Sequence, residues 1–237
     1  MKIILSILSY QGCANFKMLS EAQKQTFCQC RIPEIDIKFY YGKPLRKNND
    51  FDCYYPFIDN MQNILHKTVA HFEDMLQYPF DYLYRSNSSS YTHQKNAIKW
   101  LEDKPRENFY AGIEGSYGIH FMLGNGFILS RDLVQLIVDK KNELNHSLAD
   151  DVAIGKLMTD YKIPFTNLFM FAVVQYNGGG LYEIWKRTNA EVNIYKDVTE
   201  LKKEYFEGIF HYRCKHPTDR GIDIKTMNKL HKLFKDD

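Results

Sequence analysis

The first apolar run of the chain, Ile3-Ile4-Leu5-Ser6-Ile7-Leu8, has the length of one strand and almost no polar positions, so residues 2–9 are predicted to form a buried strand opening an α/β domain. Met18, Leu19, Ala22 and Phe27 then give helical spacing over 15–28. Ile35-Asp36-Ile37-Lys38-Phe39-Tyr40-Tyr41 alternates with period two and predicts a second strand, ended by Gly42, before a surface loop at Lys47-Asn48-Asn49-Asp50. Met61, Ile64, Leu65, Val69 and Phe72 predict a helix over 57–76, and residues 80–85 a strand running into the polar segment 86–90. Thr92 is the expected cap of a helix ending near residue 101. Strands at 118–123 and 127–129 flank Gly124-Asn125-Gly126, and helices follow over 132–141 and 149–161. A strand over 168–174, a loop at 177–180, a strand over 209–215 and a basic amphipathic helix over 222–234 complete the series. Strands alternating with helices predict an α/β fold with a mostly parallel sheet covered on both faces, whose ligands sit beyond the carboxyl ends of the strands.

Composition narrows the partners. The 237 residues carry a net charge of only +2, which excludes a chain that lives on a nucleic-acid backbone or an anionic membrane. The opening apolar run is too short to span a bilayer or to serve as a signal peptide, so no membrane span is expected. Five cysteines, odd in number and scattered, fit reduced structural thiols and a cytoplasmic setting; Cys28-Gln29-Cys30 has no second pair to make a zinc site. Aromatic residues make up 15% of the chain, enough to fill a core and leave rings for stacking on bases or sugars. No repeat, low-complexity tract or Pro/Gly linker interrupts it, which predicts one domain over 1–237.

Four segments carry candidate chemistry. Arg85-Ser86-Asn87-Ser88-Ser89-Ser90-Tyr91 ends a strand, its run of hydroxyls after Arg85 offering uncharged donors and acceptors, and also suits a plain polar turn. Asp150-Asp151 opens a helix, where carboxylates complement the dipole, and where like charges side by side push one pKa up toward that of a usable base. His211, Arg213 and Lys215 share one side of a strand, as a diphosphate receptor or as the charged guard of a sheet edge. Gly124 and Gly126 allow backbone to approach a ligand, or make a hairpin turn. His66, His71, His93, His120 and His146 lack metal-ligand spacing and read as structural. The absence of Gly-x-Gly-x-x-Gly, Walker, Gly-x-Ser-x-Gly and zinc signatures disfavours dehydrogenases, P-loop kinases and α/β-hydrolases.

Five segments in order resemble the β-1,3-galactosyltransferase and Fringe-like glycosyltransferases of the GT-A fold. Lys24-Gln25-Thr26-Phe27 is similar to that family's Arg-x-Thr-Trp. Asp59-Asn60-Met61-Gln62-Asn63-Ile64-Leu65-His66-Lys67-Thr68 resembles its Asp-Ser-Tyr-x-Asn-Leu-Thr-x-Lys-Thr, and residues 82–91 fall where it carries a strand and an Asp-Asp-Asp turn. Gly124-Asn125-Gly126-Phe127-Ile128-Leu129-Ser130 is similar to Gly-x-Gly-Tyr-x-Leu-Ser, and Asp150-Asp151-Val152-Ala153-Ile154-Gly155 to Glu-Asp-Val-x-x-Gly or Asp-Asp-x-x-x-Gly. The likeness spans about residues 1–160, and His211 is similar in order to a late metal-binding histidine.

This resemblance implies a GT-A-like single domain, a Rossmann-like nucleotide-sugar half over about 1–95 and an acceptor and catalytic half over about 96–237. It implies an inverting transferase taking a nucleotide-sugar donor, a uridine diphosphate sugar, and a glycan or glycoconjugate acceptor. The departure is at the metal turn, where Asn87, Ser88 and Ser89 replace aspartates; neutral oxygens suit a divalent ion poorly. The expectation is therefore transfer without metal or other cofactor, with Lys67, Arg85, His211, Arg213 and Lys215 offsetting the diphosphate charge. A weakened manganese site through His211 is the second form of the same expectation. Ser9 and Tyr10 are expected at the base, Asn87 and Ser89 at ribose or diphosphate, Gly124 and Gly126 near the donor sugar, and Trp185 among the rings that hold the acceptor. Asp151 is the expected general base, with Asp150 the alternate. Two other readings are a catalytically inactive nucleotide- or carbohydrate-binding module of the same fold, and a nucleotidyltransferase. The last wants clustered carboxylates for two magnesium ions, which are missing here.

Overall fold

A computed structural model of the protein describes residues 1–168, 170–177, 179–188 and 191–236. In chain order the first elements are β1 (Ile3–Leu8), α1 (Ala14–Gln25), β2 (Ile35–Lys43), β3 (Asp52–Ile58), α2 (Ile64–Met75), β4 (Tyr82–Asn87), β5 (Ser90–Thr92) and α3 (Gln94–Leu101). There follow β6 (Tyr110–Ser116), β7 (His120–Ser130), α4 (Arg131–Asp139), α5 (Asp150–Asp160) and β8 (Phe165–Asn167). The last are β9 (Phe171–Tyr176), β10 (Tyr182–Thr188), β11 (Glu191–Val198), β12 (His211–Arg213) and α6 (Arg220–Phe234). These elements form two compact units that interleave along the sequence. Met1–Cys13, Glu34–Asn87 and Lys104–Asn167 make the first; Ala14–Pro33, Ser88–Asp103 and Leu168–Asp237 make the second.

The first unit is built on a seven-stranded sheet of order β3-β2-β1-β4-β7-β6-β8. Its β3–β2, β2–β1, β1–β4 and β6–β8 pairings are parallel, and β7 runs antiparallel to both neighbours, so the predicted mostly parallel sheet is present. Both faces of β1 are buried, which is why it reads as an unbroken apolar run. Leu65, Val69, Phe72 and Met75 of α2 pack in one core with Ile4, Tyr40 and Leu83 of the sheet and with apolar positions of α4 and α5. Each such side chain contributes about 1.5–3 kcal/mol by leaving water.

The second unit carries a five-stranded sheet of order β11-β10-β9-β12-β5, antiparallel except for β9–β12. Its core is aromatic: Tyr212 meets Phe206 at 5.3 Å, Phe234 of α6 at 5.5 Å and Tyr91 at 5.9 Å between ring centroids.

Several boundaries differ from the sequence expectation, each for a local reason. Gly42 lies inside β2, at a register irregularity; a Cβ there would fall 2.7 Å from the carbonyl oxygen of Phe57, so the residue permits close strand approach instead of ending the strand. Phe57 belongs to β3, not to a helix, and α2 starts at Ile64 after a 3₁₀ turn at Met61–Asn63. His93, not Thr92, caps α3, its Nδ1 accepting from the Asn96 amide at 3.2 Å while Thr92 ends β5. Gly124-Asn125-Gly126 is no hairpin turn but the middle of β7. The strand expected over 168–174 is β9, beginning at Phe171; β10 and β11 were not anticipated, and Gly178 of the expected loop lies outside the described residues. The last strand is short, so Lys215 falls beyond it, and β12 is internal to its sheet, which removes the guarded-edge reading.

Candidate active site

In the first unit the carboxyl ends of β1 and β4 lie side by side, Leu8 opposite Asn87. Just beyond β1, the Lys67 ammonium of α2 donates to the Ser9 carbonyl oxygen at 2.8 Å and pairs closely with Asp59. Asp59 in turn accepts from the Gln11 amide at 3.0 Å, so one buried ion pair pins the turn that carries Ser9 and Tyr10. Burial lowers the pKa of Lys67, Asp59 and Asp150 pulling against it. Tyr10 is half-buried.

A second buried pair stands beside it. The Arg85 guanidinium, from β4, donates to Asp150 at 2.7 Å and to the Gly124 carbonyl oxygen, and lies over the Phe127 ring. Asp150 also accepts from the Thr68 hydroxyl at 3.0 Å and is 1% exposed. Burial opposes charge on Arg85, but Asp150, Tyr40 and Asp151 together outweigh it and hold the guanidinium protonated.

Asp151 occupies a different environment one residue on. Its carboxylate accepts from the Gly124 amide at 2.7 Å and from the Val152 amide at 2.9 Å, and it is half-buried instead of sealed. Burial, and then the neighbouring Asp150 charge, push its pKa up. A Cβ on Gly124 would fall 2.7 Å from the Asp151 carboxylate and 3.1 Å from the guanidinium, so the glycine inside β7 is what lets both groups reach the strand. Asn87 donates to the same Gly124 carbonyl oxygen at 3.1 Å, and Gly126 pairs with Ser86. Arg85, Asn87, Gly124, Asp150 and Asp151 are thus brought together.

In the second unit, Ser88 and Ser89 are buried, and the Ser89 carbonyl oxygen accepts from the Cys214 amide at 2.9 Å. His211 is fully buried, stacked on Phe171 at 5.0 Å. Burial, aided by Arg213, pushes its pKa down to about 3, so its imidazole is neutral at ordinary pH and supplies no positive charge, contrary to the sequence expectation. Arg213 is half-buried and Lys215 exposed, its pKa lowered by Arg213 and then by burial.

The galactosyltransferase family model matches residues 50–169, a stretch that holds Asp59, Lys67, Arg85, Gly124, Asp150 and Asp151. The chain belongs to the galactosyltransferase family. Among solved structures it is similar to a glycosyltransferase involved in the glycosylation of the major capsid of PBCV-1, at 13% identity over 95% of this chain and 98% of that one, with a TM-score of 0.53, a likeness of fold. Glycosyltransferase GlyE of Streptococcus pneumoniae TIGR4 matches at 12% identity over 71% of this chain and 45% of that one, with a TM-score of 0.44. No curated protein sequence matches the chain. As a glycosyltransferase it takes a sugar donor and a glycan acceptor.

Within the family's motif, two partners were missed. Asp59 and Thr68 frame the helix segment from which Lys67 was singled out, and Asp59 holds Lys67 while Thr68 holds Asp150. The signal was present, since both residues match the family motif. No helix among the described residues is long and apolar enough to cross a membrane.

Proposed function

We propose that this glycosyltransferase transfers a sugar with inversion from a uridine diphosphate sugar to a glycan hydroxyl, using Asp151 as general base. The observation that carries the reading is the contrast between the two adjacent carboxylates. Asp150 is sealed by Arg85 and Thr68, whereas Asp151 is half-open with a raised pKa, which favours it as the group that accepts a proton. The acceptor hydroxyl gives its proton to Asp151 as its oxygen bonds to the anomeric carbon; the bond from that carbon to the diphosphate oxygen breaks, and the nucleoside diphosphate leaves with the electron pair.

The reading is also metal-free. The resemblance implies a divalent ion at the turn after β4, but Asn87, Ser88 and Ser89 offer only neutral groups, and Asn87 is turned to the Gly124 carbonyl oxygen. Among the described residues no three His, Cys, Asp or Glu side chains cluster as ligands. That donor set does not fit a hard cation. Lys67 and Arg85 are engaged by Asp59 and Asp150; Arg213 and Lys215 are the further charges that this reading assigns to the leaving diphosphate. The five cysteines are free thiols, which supports a reducing, cytoplasmic setting.

The neutral turn also favours a second reading, an inactive nucleotide- or carbohydrate-binding module. Incubation with a panel of nucleotide-sugars, with and without EDTA, separates the two. Release of nucleoside diphosphate that EDTA leaves intact is the expected result. Binding without release supports the module, and release abolished by EDTA refutes the metal-free mechanism.

A further inference from the structure

One face of the five-stranded sheet changes character from strand to strand. Direct cross-strand partners put His211 and Arg213 of β12, Phe171 and Val173 of β9, and Trp185 and Arg187 of β10 on this face, opposite the one packed on Phe206 and Phe234. His211 and Phe171 are buried, Trp185 and Arg187 are half-buried, and Ile194, opposite Trp185 on β11, is 57% exposed. The rings form a row: Phe171 stacks on His211 at 5.0 Å, and Trp185 meets Phe171 edge-on at 5.8 Å. Trp185 is therefore fixed at one side by packed rings and reaches solvent at the other.

The neighbours of Trp185 on its own strand are Glu183 and Arg187, each about 7 Å away at two-residue spacing. A flat indole between a carboxylate and a guanidinium is the chemistry that holds a sugar ring, the C–H face of the pyranose lying on the π surface and its hydroxyls bonding the charged groups. A nucleotide base would also stack on indole, but the exposed Glu183 repels the phosphates that come with it. Arg213, Val173 and Trp185 stand in one register line on adjacent strands, which sets the backbone of Trp185 about 10 Å from that of Arg213.

We infer that this sheet face is the acceptor platform, binding a neutral glycan with Trp185 as the stacking ring and Glu183 and Arg187 selecting its hydroxyls. The inference rests on the transferase reading above for the role of the glycan, but its test does not. Trp100 and Trp185 are the two tryptophans of the chain, so Trp100→Phe leaves Trp185 as the lone emitter. That protein is titrated with methyl glycosides and disaccharides of galactose, glucose and N-acetylglucosamine, and with uridine and uridine diphosphate as counter-probes. The expected result is a saturable change in emission with at least one glycan, whose affinity by calorimetry falls about tenfold or more in Trp185→Ala and is largely kept in Trp185→Tyr. No emission change with any glycan, a change with uridine instead, or wild-type affinity in Trp185→Ala overturns the platform. Donor hydrolysis by the wild-type chain is scored separately: glycan binding without hydrolysis refutes the transferase reading and leaves the platform standing, and hydrolysis without glycan binding refutes the platform alone.

Discussion

Asp150 and Asp151 differ by one position and by the whole of their surroundings, and substitution separates them. Asp151→Asn is expected to lower transfer by about 10²–10⁴-fold with donor affinity retained, measured by initial rates and calorimetry. Because the Asp151 pKa is raised, the rate falls as pH drops through a value above the ordinary carboxylate range, and the variant loses that limb. The stability sign runs the other way. A carboxyl whose folded pKa is raised costs the fold nothing below its unfolded pKa and a penalty above its folded one. Asp151→Asn therefore melts above wild type at neutral pH, and the gap closes as pH falls. Asp150→Asn leaves the buried Arg85 charge without its carboxylate, a loss of about 3–5 kcal/mol that lowers Tm by roughly 10 °C. A melt unchanged in that variant would show that the pair is not needed for the fold.

At the scale of elements, α5 reaches β7 through Gly155, where a Cβ would fall 2.7 Å from the His120 carbonyl oxygen. Gly155→Ala overpacks this contact and is expected to cost about 1–3 kcal/mol by denaturant unfolding, with activity lost in proportion because α5 carries both carboxylates. Elements whose apolar pattern is self-sufficient were legible from the sequence: β1, α2 from Ile64 onward, α4 and α5 all fall close to expectation. Those whose reason lies elsewhere in the fold were not. β3 was not anticipated, its last residues being given to a helix from residue 57; it carries Pro56 at a sheet edge, where a missing amide donor costs little. The glycines of β7 read as a turn because Asp151 and Arg85, which need the space, are distant in sequence. β10 escaped notice because its non-core face carries charge and indole instead of an apolar stripe. In the site, the carboxylate pair and Arg85 were visible, but the seal that divides Asp150 from Asp151 depends on Thr68, 82 residues away.

For the molecule as a whole, a net charge of +2 gives no long-range field to draw in a dianion, so on the proposed reading diphosphate affinity would rest on single cations. Arg213→Ala is expected to weaken uridine diphosphate binding about tenfold by calorimetry while leaving uridine little changed. An equal loss for both ligands would remove Arg213 from the diphosphate. The interleaving of the two units has a further bearing, on biosynthesis. The seven-stranded sheet needs β8, which ends at Asn167, and the five-stranded one needs β5 from the first half and β12 near the close. The first sheet cannot be completed until the ribosome has passed Asn167, nor the second until it has passed Arg213. Until then the nascent polypeptide carries apolar strands awaiting partners, the interval in which chaperones would be most engaged.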